Sequence, residues 1–217
     1  MDISEIISYW GHPSEEYEVI TADGYILQLN QIPHGKNDTN HLDRIGVRGK
    51  NVVQKPVVYL QHGLFVTGSI WISSPPNSSP GFLLAEAGYD VWIGNSKGSR
   101  WSQKHLYLKA DSKEFWAFSY DEMIKCDLLA TIDFVVKKTG QKQIYYVGYS
   151  LGTTIAFGVF TINPQLAEKI KIHFSLAPVN ANRYITSIVR SLAYIKSTLF
   201  KVYGWLYHKL SFQNVGM

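Results

Sequence analysis

Five consecutive residues, Gly148-Tyr149-Ser150-Leu151-Gly152, form a Gly-x-Ser-x-Gly pattern. They stand between an apolar run, Ile144–Val147, and a segment opening Thr153-Thr154-Ile155-Ala156 that reads as a helix. The flanking glycines permit a tight strand-to-helix turn, which forces the serine hydroxyl outward as a nucleophile. The helix that follows aims its first N–H groups and its positive dipole end at a developing oxyanion. The chemistry implied is acyl transfer through Ser150. Such chemistry needs two backbone donors, one from the residue after the nucleophile, here Leu151, and one from the loop after an earlier strand. The run Val57–Leu60 ends in Gln61-His62-Gly63-Leu64, and the turn at Gly63 frees the Leu64 N–H for that second place. His62 alone would read as one more structural strand-end histidine; beside Ser150 it gains weight.

The elements that must hold these residues are legible around them. Val57–Leu60, Tyr89–Ile93, Ile144–Val147 and Ile170–Phe174 are short runs rich in β-branched and aromatic residues, each ending in Gly or a turn former. Buried parallel strands look like this. Between them lie a helical stretch, Gly81–Gly88, and a longer helix from Ser119. The longer one opens on a Ser119-x-x-Glu122 capping box and closes on Lys137, Lys138 and Gly140. Upstream, Glu18–Thr21 and Tyr25–Leu29 flank Ala22-Asp23-Gly24 and read as a β-hairpin. The single connection of any length expected is the polar stretch Gly35–Gln54. Strands alternating with helices predict an α/β fold, a mostly parallel sheet with helices on both faces. In such a sheet reactive groups gather outside the carboxyl ends of the strands. A third strand end, Gly94-Asn95-Ser96-Lys97-Gly98-Ser99, carries no dinucleotide or Walker pattern and reads as a wall of the pocket.

Composition narrows the classes. The 217 residues are 46% hydrophobic and 18% charged, which excludes a disordered or collagen-like chain and supplies a core. One cysteine, Cys126, excludes an intrachain disulfide framework, and no Cys/His cluster has zinc-like spacing. No apolar run reaches the length of a membrane span, and the acidic start Met1-Asp2-Ile3-Ser4-Glu5 shows no signal peptide. The net charge of +4 is uneven: residues 1–150 carry 14 basic and 16 acidic side chains, residues 151–217 carry 7 against one, Glu168. Such a basic end suits nucleic acid, a membrane surface or an acidic partner, or else its missing acids lie on another part of the protein.

Taken together, these residues resemble the acid lipases, the family of gastric and lysosomal acid lipase. The resemblance is carried by Ile7-Ser-Tyr-Trp-Gly11, Asp23-Gly-Tyr-Ile-Leu27, Tyr59-Leu-Gln-His-Gly-Leu64 and Ala87-Gly-Tyr-Asp-Val-Trp92. It continues through Gly94-Asn-Ser96, Glu114-Phe-Trp-Ala-Phe118, Tyr120-Asp-Glu-Met123, Lys138-Thr-Gly-Gln141 and Tyr146-Val-Gly148. It runs in order over nearly the whole length. It implies an α/β-hydrolase fold, C-terminally incomplete, with residues 1–178 as the N-terminal part of the core and 179–217 as the start of a helical cap. It implies Ser150 as nucleophile and Leu64 and Leu151 as oxyanion donors. The implied partner is a lipid ester such as a glyceride or cholesteryl ester, or a lipid interface, with no cofactor, no metal and no nucleic acid. It implies a secreted or lysosomal protein, for which the sequons at Asn37 and Asn77 would be glycosylation sites.

Two departures accompany it. The family usually places His and Gln beside the nucleophile, where this chain has Tyr149 and Leu151, a change that a backbone donor tolerates. In the hydrolase order Ser…acid…His the chain offers Glu168 and then His173 or His208, none at the family's distal positions, so the triad is incomplete. Ile170–Phe174 then stands as an unpaired edge. In residues 184–217, Ile188, Leu192, Ile195, Leu199, Val202 and Leu206 form one helical stripe, suited to a lid over the site or to a lipid interface. Two functions stay open: a carboxylic ester hydrolase of the acid-lipase type, or a truncated, non-catalytic relative that binds or scaffolds.

Overall fold

The Asp-Gly turn does what its residues dictate. Gly24 takes φ 87°, a conformation that side chains avoid, and reverses the chain between β1 (Glu15–Ile20) and β2 (Tyr25–Ile32). These two strands pair antiparallel, with Ile20 opposite Ile26. Ahead of them, α1 (Ile3–Tyr9) is closed by a capping box between Asp2 and Glu5 and buries Ile3 and Ile7, four residues apart on one face. The structure, a computed structural model, describes residues 1–36 and 54–179. Most of the Gly35–Gln54 connection, and nearly all of the expected cap, lie outside the described residues.

The site rests on the parallel half of the sheet. This half comprises β3 (Val57–Gln61), β4 (Asp90–Gly94), β6 (Ile144–Tyr149) and β7 (Ile170–Leu176). The strand order is β1-β2-β4-β3-β6-β7, and β5 (Lys104–His105) pairs with β2 off that path. The β3/β4, β3/β6 and β6/β7 pairs are parallel, whereas β2 meets β4 antiparallel, so the sheet is mixed with its parallel strands at the centre. All five residues of β3 are buried, because both faces of the sheet are covered.

Alternate side chains feed two cores. Tyr59, Trp92 and Tyr146 pack on one face against Ile132 and Ile155 of α3 (Leu128–Thr139) and α4 (Leu151–Ile162). Val58, Leu60, Val91 and Ile93 pack on the other against α1 and against Phe82 of α2 (Pro80–Glu86). A short helix, α5 (Pro164–Ala167), joins α4 to β7. β7 has β6 as its one strand partner among the described residues, and Ile172, Phe174 and Leu176 on it stay close to half exposed.

Two features differ from expectation. The Ser119–Glu122 capping box forms and Gly140 ends the helix at φ 69°, but the helix is not uniform. After one α turn (Tyr120–Glu122) it passes through a π-helical turn, Met123–Asp127, before α3 begins. Gly35–Gln54 is also not the sole long connection: Asn95–Ser119 carries just the two residues of β5. That stretch is ordered by a small core of its own, in which Phe115 is fully buried against Tyr25 and Leu27. Its apolar residues are scattered without a period, which is why its packing left no periodic signal in the sequence.

Candidate active site

Ser150 sits alone between the last residue of β6 and the first of α4, at φ 50° and ψ −114°. This is a strained conformation for a residue with a side chain, and it persists because its surroundings fix it. The Ser150 N–H donates to the Leu176 carbonyl at 3.0 Å, and its carbonyl accepts from the Thr153 N–H at 2.9 Å and the Thr153 hydroxyl at 2.7 Å. Backbone packing completes the clamp. A Cβ on Gly148 would stand 2.9 Å from the carbonyl carbon of Gly152, and one on Gly152 would stand 2.7 Å from the Gln61 oxygen. The Gly-x-Ser-x-Gly pattern is therefore two close backbone approaches around one strained residue.

The loop after β3 meets this turn. A Cβ on Gly63 would lie 2.9 Å from the Ser150 Cβ, so the Leu64 N–H follows a residue packed against the serine. Among the described residues neither the Leu64 nor the Leu151 N–H is taken by an acceptor. Leu151 opens a 12-residue helix whose positive end faces the same turn.

His62 holds this loop and does not act on Ser150. Its ring is buried, the Ser96 N–H donates to Nε2 at 3.1 Å, and Nδ1 lies 2.7 Å from the Gly63 carbonyl. An N–H donor on Nε2 leaves that nitrogen bare, so Nδ1 carries the hydrogen and both ring positions are committed. Burial pushes the imidazole down to about 4, only partly opposed by the Gly63 contact, so it stays neutral at ordinary pH. The other acid and base candidates also stand away from Ser150. Glu168 follows α5 at the amino end of β7, the opposite end of the sheet. His173 is wedged among Tyr146, Phe157 and Phe160, where burial lowers its pKa. His208 lies outside the described residues.

The segment read as a pocket wall proves to be a set of tethers. The Asn95 side chain accepts from the Gly68 N–H at 2.9 Å, and the Ser96 hydroxyl accepts from Gln61 at 2.9 Å. Lys97 turns inward with its side chain fully buried, its ammonium paired with Asp23 and, at 3.0 Å, with Asp127. Burial drives the Asp127 carboxyl up to about 6 against the pull of Lys97. Burial acts the same way on Asp23, but hydrogen bonds from Lys97 and Thr21 outweigh it and hold that carboxyl low. The sequence reading missed this cluster, since its three charges lie far apart along the chain.

Among the described residues no group of His, Cys, Asp and Glu could hold a metal ion, and no helix is long and apolar enough to cross a membrane. A cavity of 320 Å³ opens at the other end of the sheet, between Tyr17, Gln31, Asp90 and Lys138, far from the Ser150 turn.

The fold is that of an α/β hydrolase. Residues 56–179 match the family described as alpha/beta hydrolase fold, and residues 3–75 match the partial alpha/beta-hydrolase lipase region. Among solved structures, a laboratory-evolved potato epoxide hydrolase superposes with a TM-score of 0.53 at 17% identity, covering 85% of this chain and 46% of that one. A Vigna radiata epoxide hydrolase variant gives 0.51 at 17% identity, covering 84% and 45%. At that identity the likeness concerns the fold alone. Sequence relatives are much nearer. Gastric triacylglycerol lipase of Bos taurus is 56% identical over 202 residues, 93% of this chain and 48% of that protein. The human gastric enzyme is 54% identical over 201 residues, with the same two shares. Lysosomal acid lipase/cholesteryl ester hydrolase of Macaca fascicularis is also 54% identical over 201 residues, again 93% and 48%. The chain belongs to the α/β-hydrolase family, and it spans about half the length of the acid lipases it matches.

Proposed function

We propose that the chain supplies the nucleophile and oxyanion half of an acid lipase, a carboxylic ester hydrolase acting on glycerides or cholesteryl esters. One observation carries this reading: Ser150 held at φ 50° between a strand and a helix, with Gly63 packed against it. In the reaction the Ser150 Oγ attacks the ester carbonyl carbon. The oxygen becomes an oxyanion received by the Leu64 and Leu151 N–H groups, the alcohol departs, and water later releases the acyl group from Ser150. The committed ring of His62 and the lateral position of His173 leave the general base to other residues. We place that base and its acid partner in the part of the relatives' length that this chain does not span. Without them some catalysis from the oxyanion donors and binding can remain.

The rim of the site fits an acyl substrate, since Leu64 and Phe65 beside the donors are 48% and 68% exposed. Residues 179–217 are read as the start of the cap, with an apolar stripe in their sequence that suits a lid or a lipid surface. By family the protein is secreted or lysosomal. Asn77, exposed in a turn before α2, is then a glycan acceptor, as is Asn37.

The reading is tested by hydrolysis of p-nitrophenyl butyrate by the purified 217-residue chain beside its Ser150→Ala variant. Turnover that vanishes in the variant supports an assembled elbow; equal background rates from two folded proteins would refute a working nucleophile in this chain. A second reading, a non-catalytic relative, is favoured by the lack of a free imidazole at Ser150 among the described residues, and that second result would establish it.

A further inference from the structure

We propose that the buried Lys97–Asp127 pair is a positioning device for the oxyanion loop, setting the direction of the Leu64 N–H through Ser96 and His62. The proposal rests on the reading of Ser150 and Leu64 given above. Asp127 grips Lys97 at both ends: one carboxylate oxygen accepts the Lys97 backbone N–H at 2.9 Å, the other meets its ammonium at 3.0 Å. Asp23 and the face of Tyr25, 4.5 Å from the ammonium, complete the enclosure. A backbone N–H and a side chain held by one carboxylate leave the Ser96–Lys97 peptide a single orientation.

From that peptide the constraint passes to the site in two steps. The Ser96 N–H, one residue upstream, is aimed at Nε2 of His62, and the opposite ring nitrogen donates to the Gly63 carbonyl. The peptide that follows is trans, so a carbonyl drawn toward His62 points the Leu64 N–H the other way. Asn95 adds a second hold through the Gly68 N–H, so residues 95 and 96 tie down both sides of the loop. Stability alone gives little reason for such a pair, because apolar side chains of similar volume commonly serve a core as well as a buried ion pair does. A helix interrupted by a π turn just where Asp127 must face Lys97 fits a positional demand, since such turns recur at functional sites.

The test uses the 217-residue chain and a p-nitrophenyl alkylphosphonate, which transfers its phosphonyl group to the Ser150 Oγ, releases p-nitrophenolate and leaves a phosphonyl oxygen where the oxyanion would sit. Lys97→Met, Lys97→Arg and Asp127→Asn are compared with the parent for labelling rate, melting and the ¹⁵N signals of the His62 ring. The expected result is about 10²-fold slower labelling in Lys97→Met and Asp127→Asn, as for a reactive group misplaced by about 1 Å. Lys97→Arg recovers most of that rate. In the slowed variants the His62 signals shift from one fixed tautomer toward an average, which simple destabilisation of a folded protein would not cause. Variants that label as fast as the parent, with His62 unchanged, overturn the proposal while leaving the Ser150 reading intact. A parent that the phosphonate never labels overturns that reading, and the proposal with it. If Lys97→Met does not fold, Lys97→Arg and Asp127→Asn decide the matter alone.

Discussion

Replacing Gly152 with Ala sets two known effects against each other. Gly152 is the second residue of α4, and Ala is preferred over Gly in a helix by up to about 1 kcal/mol. If propensity ruled, the melting temperature would rise by about 2–4 °C for a chain of this size. The new methyl, however, would stand 2.7 Å from the Gln61 carbonyl oxygen and 3.0 Å from that of His62. Both are backbone atoms at the end of the central strand and cannot swing aside. Overpacking of this kind costs roughly 1–3 kcal/mol, so the net effect is a loss of about 0–2 kcal/mol, or up to about 8 °C. The helix must also back away from β3, separating Leu151 from Leu64 and slowing phosphonate labelling of Ser150 by about 10²-fold for a displacement near 1 Å. Gly88→Ala is the control: nothing lies within 4 Å of its Cβ, but its φ of 90° is unfavourable, so it should lose stability and label normally. Thermal melts and labelling kinetics on the three proteins decide. A Gly152→Ala protein that melts higher than the parent and labels as fast would refute the claim that this close approach builds the site.

Ser150→Gly should raise the melting temperature by a few degrees while abolishing labelling, because relief of about 1–3 kcal/mol of backbone strain exceeds the roughly 0.5–1 kcal/mol entropic cost of glycine. Ser150→Ala keeps the strain and should show no such gain. Two separate buried groups, His62 and Asp127, should respond oppositely to acid. His62, lowered in the fold to about 4, contributes stability that is complete above its unfolded value near 6.5 and lost as pH falls toward 4, on the order of 3 kcal/mol. Asp127, raised to about 6, costs stability at neutral pH and returns it as pH falls from 6 toward 4. Melts between pH 4 and 7 should therefore show a steeper acid loss in Asp127→Asn than in the parent; identical slopes would contradict the assignment. His173→Leu should label like the parent, because the ring packs among Tyr146, Phe157 and Phe160 and its Nε2 meets the Ser175 hydroxyl at 3.1 Å, and a large drop would point instead to a catalytic role.

What the sequence made legible and what it hid divide along a physical line. The hairpin at Gly24, the capping box of Ser119 and Glu122 and the stop at Gly140 are local devices, and each appears where its residues place it. The elbow also reads locally, since Gly148 and Gly152 flank Ser150 in one short stretch. Gly63 shows its second duty, lying against Ser150, only in three dimensions. Lys97 was hidden altogether. Its segment, Gly94–Ser99, reads as a wall of the pocket, and its partners stand 74 and 30 residues away. His62 reads as structural from its place at a strand end and gains weight only beside Ser150, and the two hydrogen bonds on its ring show that it is a brace.

The π turn at Met123–Asp127 gives this region an unusual genetic fragility. A substitution there changes one side chain, and several would be absorbed by the partly exposed surface of the turn. Losing a single codon is another matter. It would let the helix close into ordinary α periodicity and rotate everything on one side of the gap by about 100°. Either the Ser119 cap or the Asp127 carboxylate would then face the wrong way. Lineages carrying this turn should accordingly vary in spelling across Met123–Cys126 far more readily than in length, with Asp127 kept.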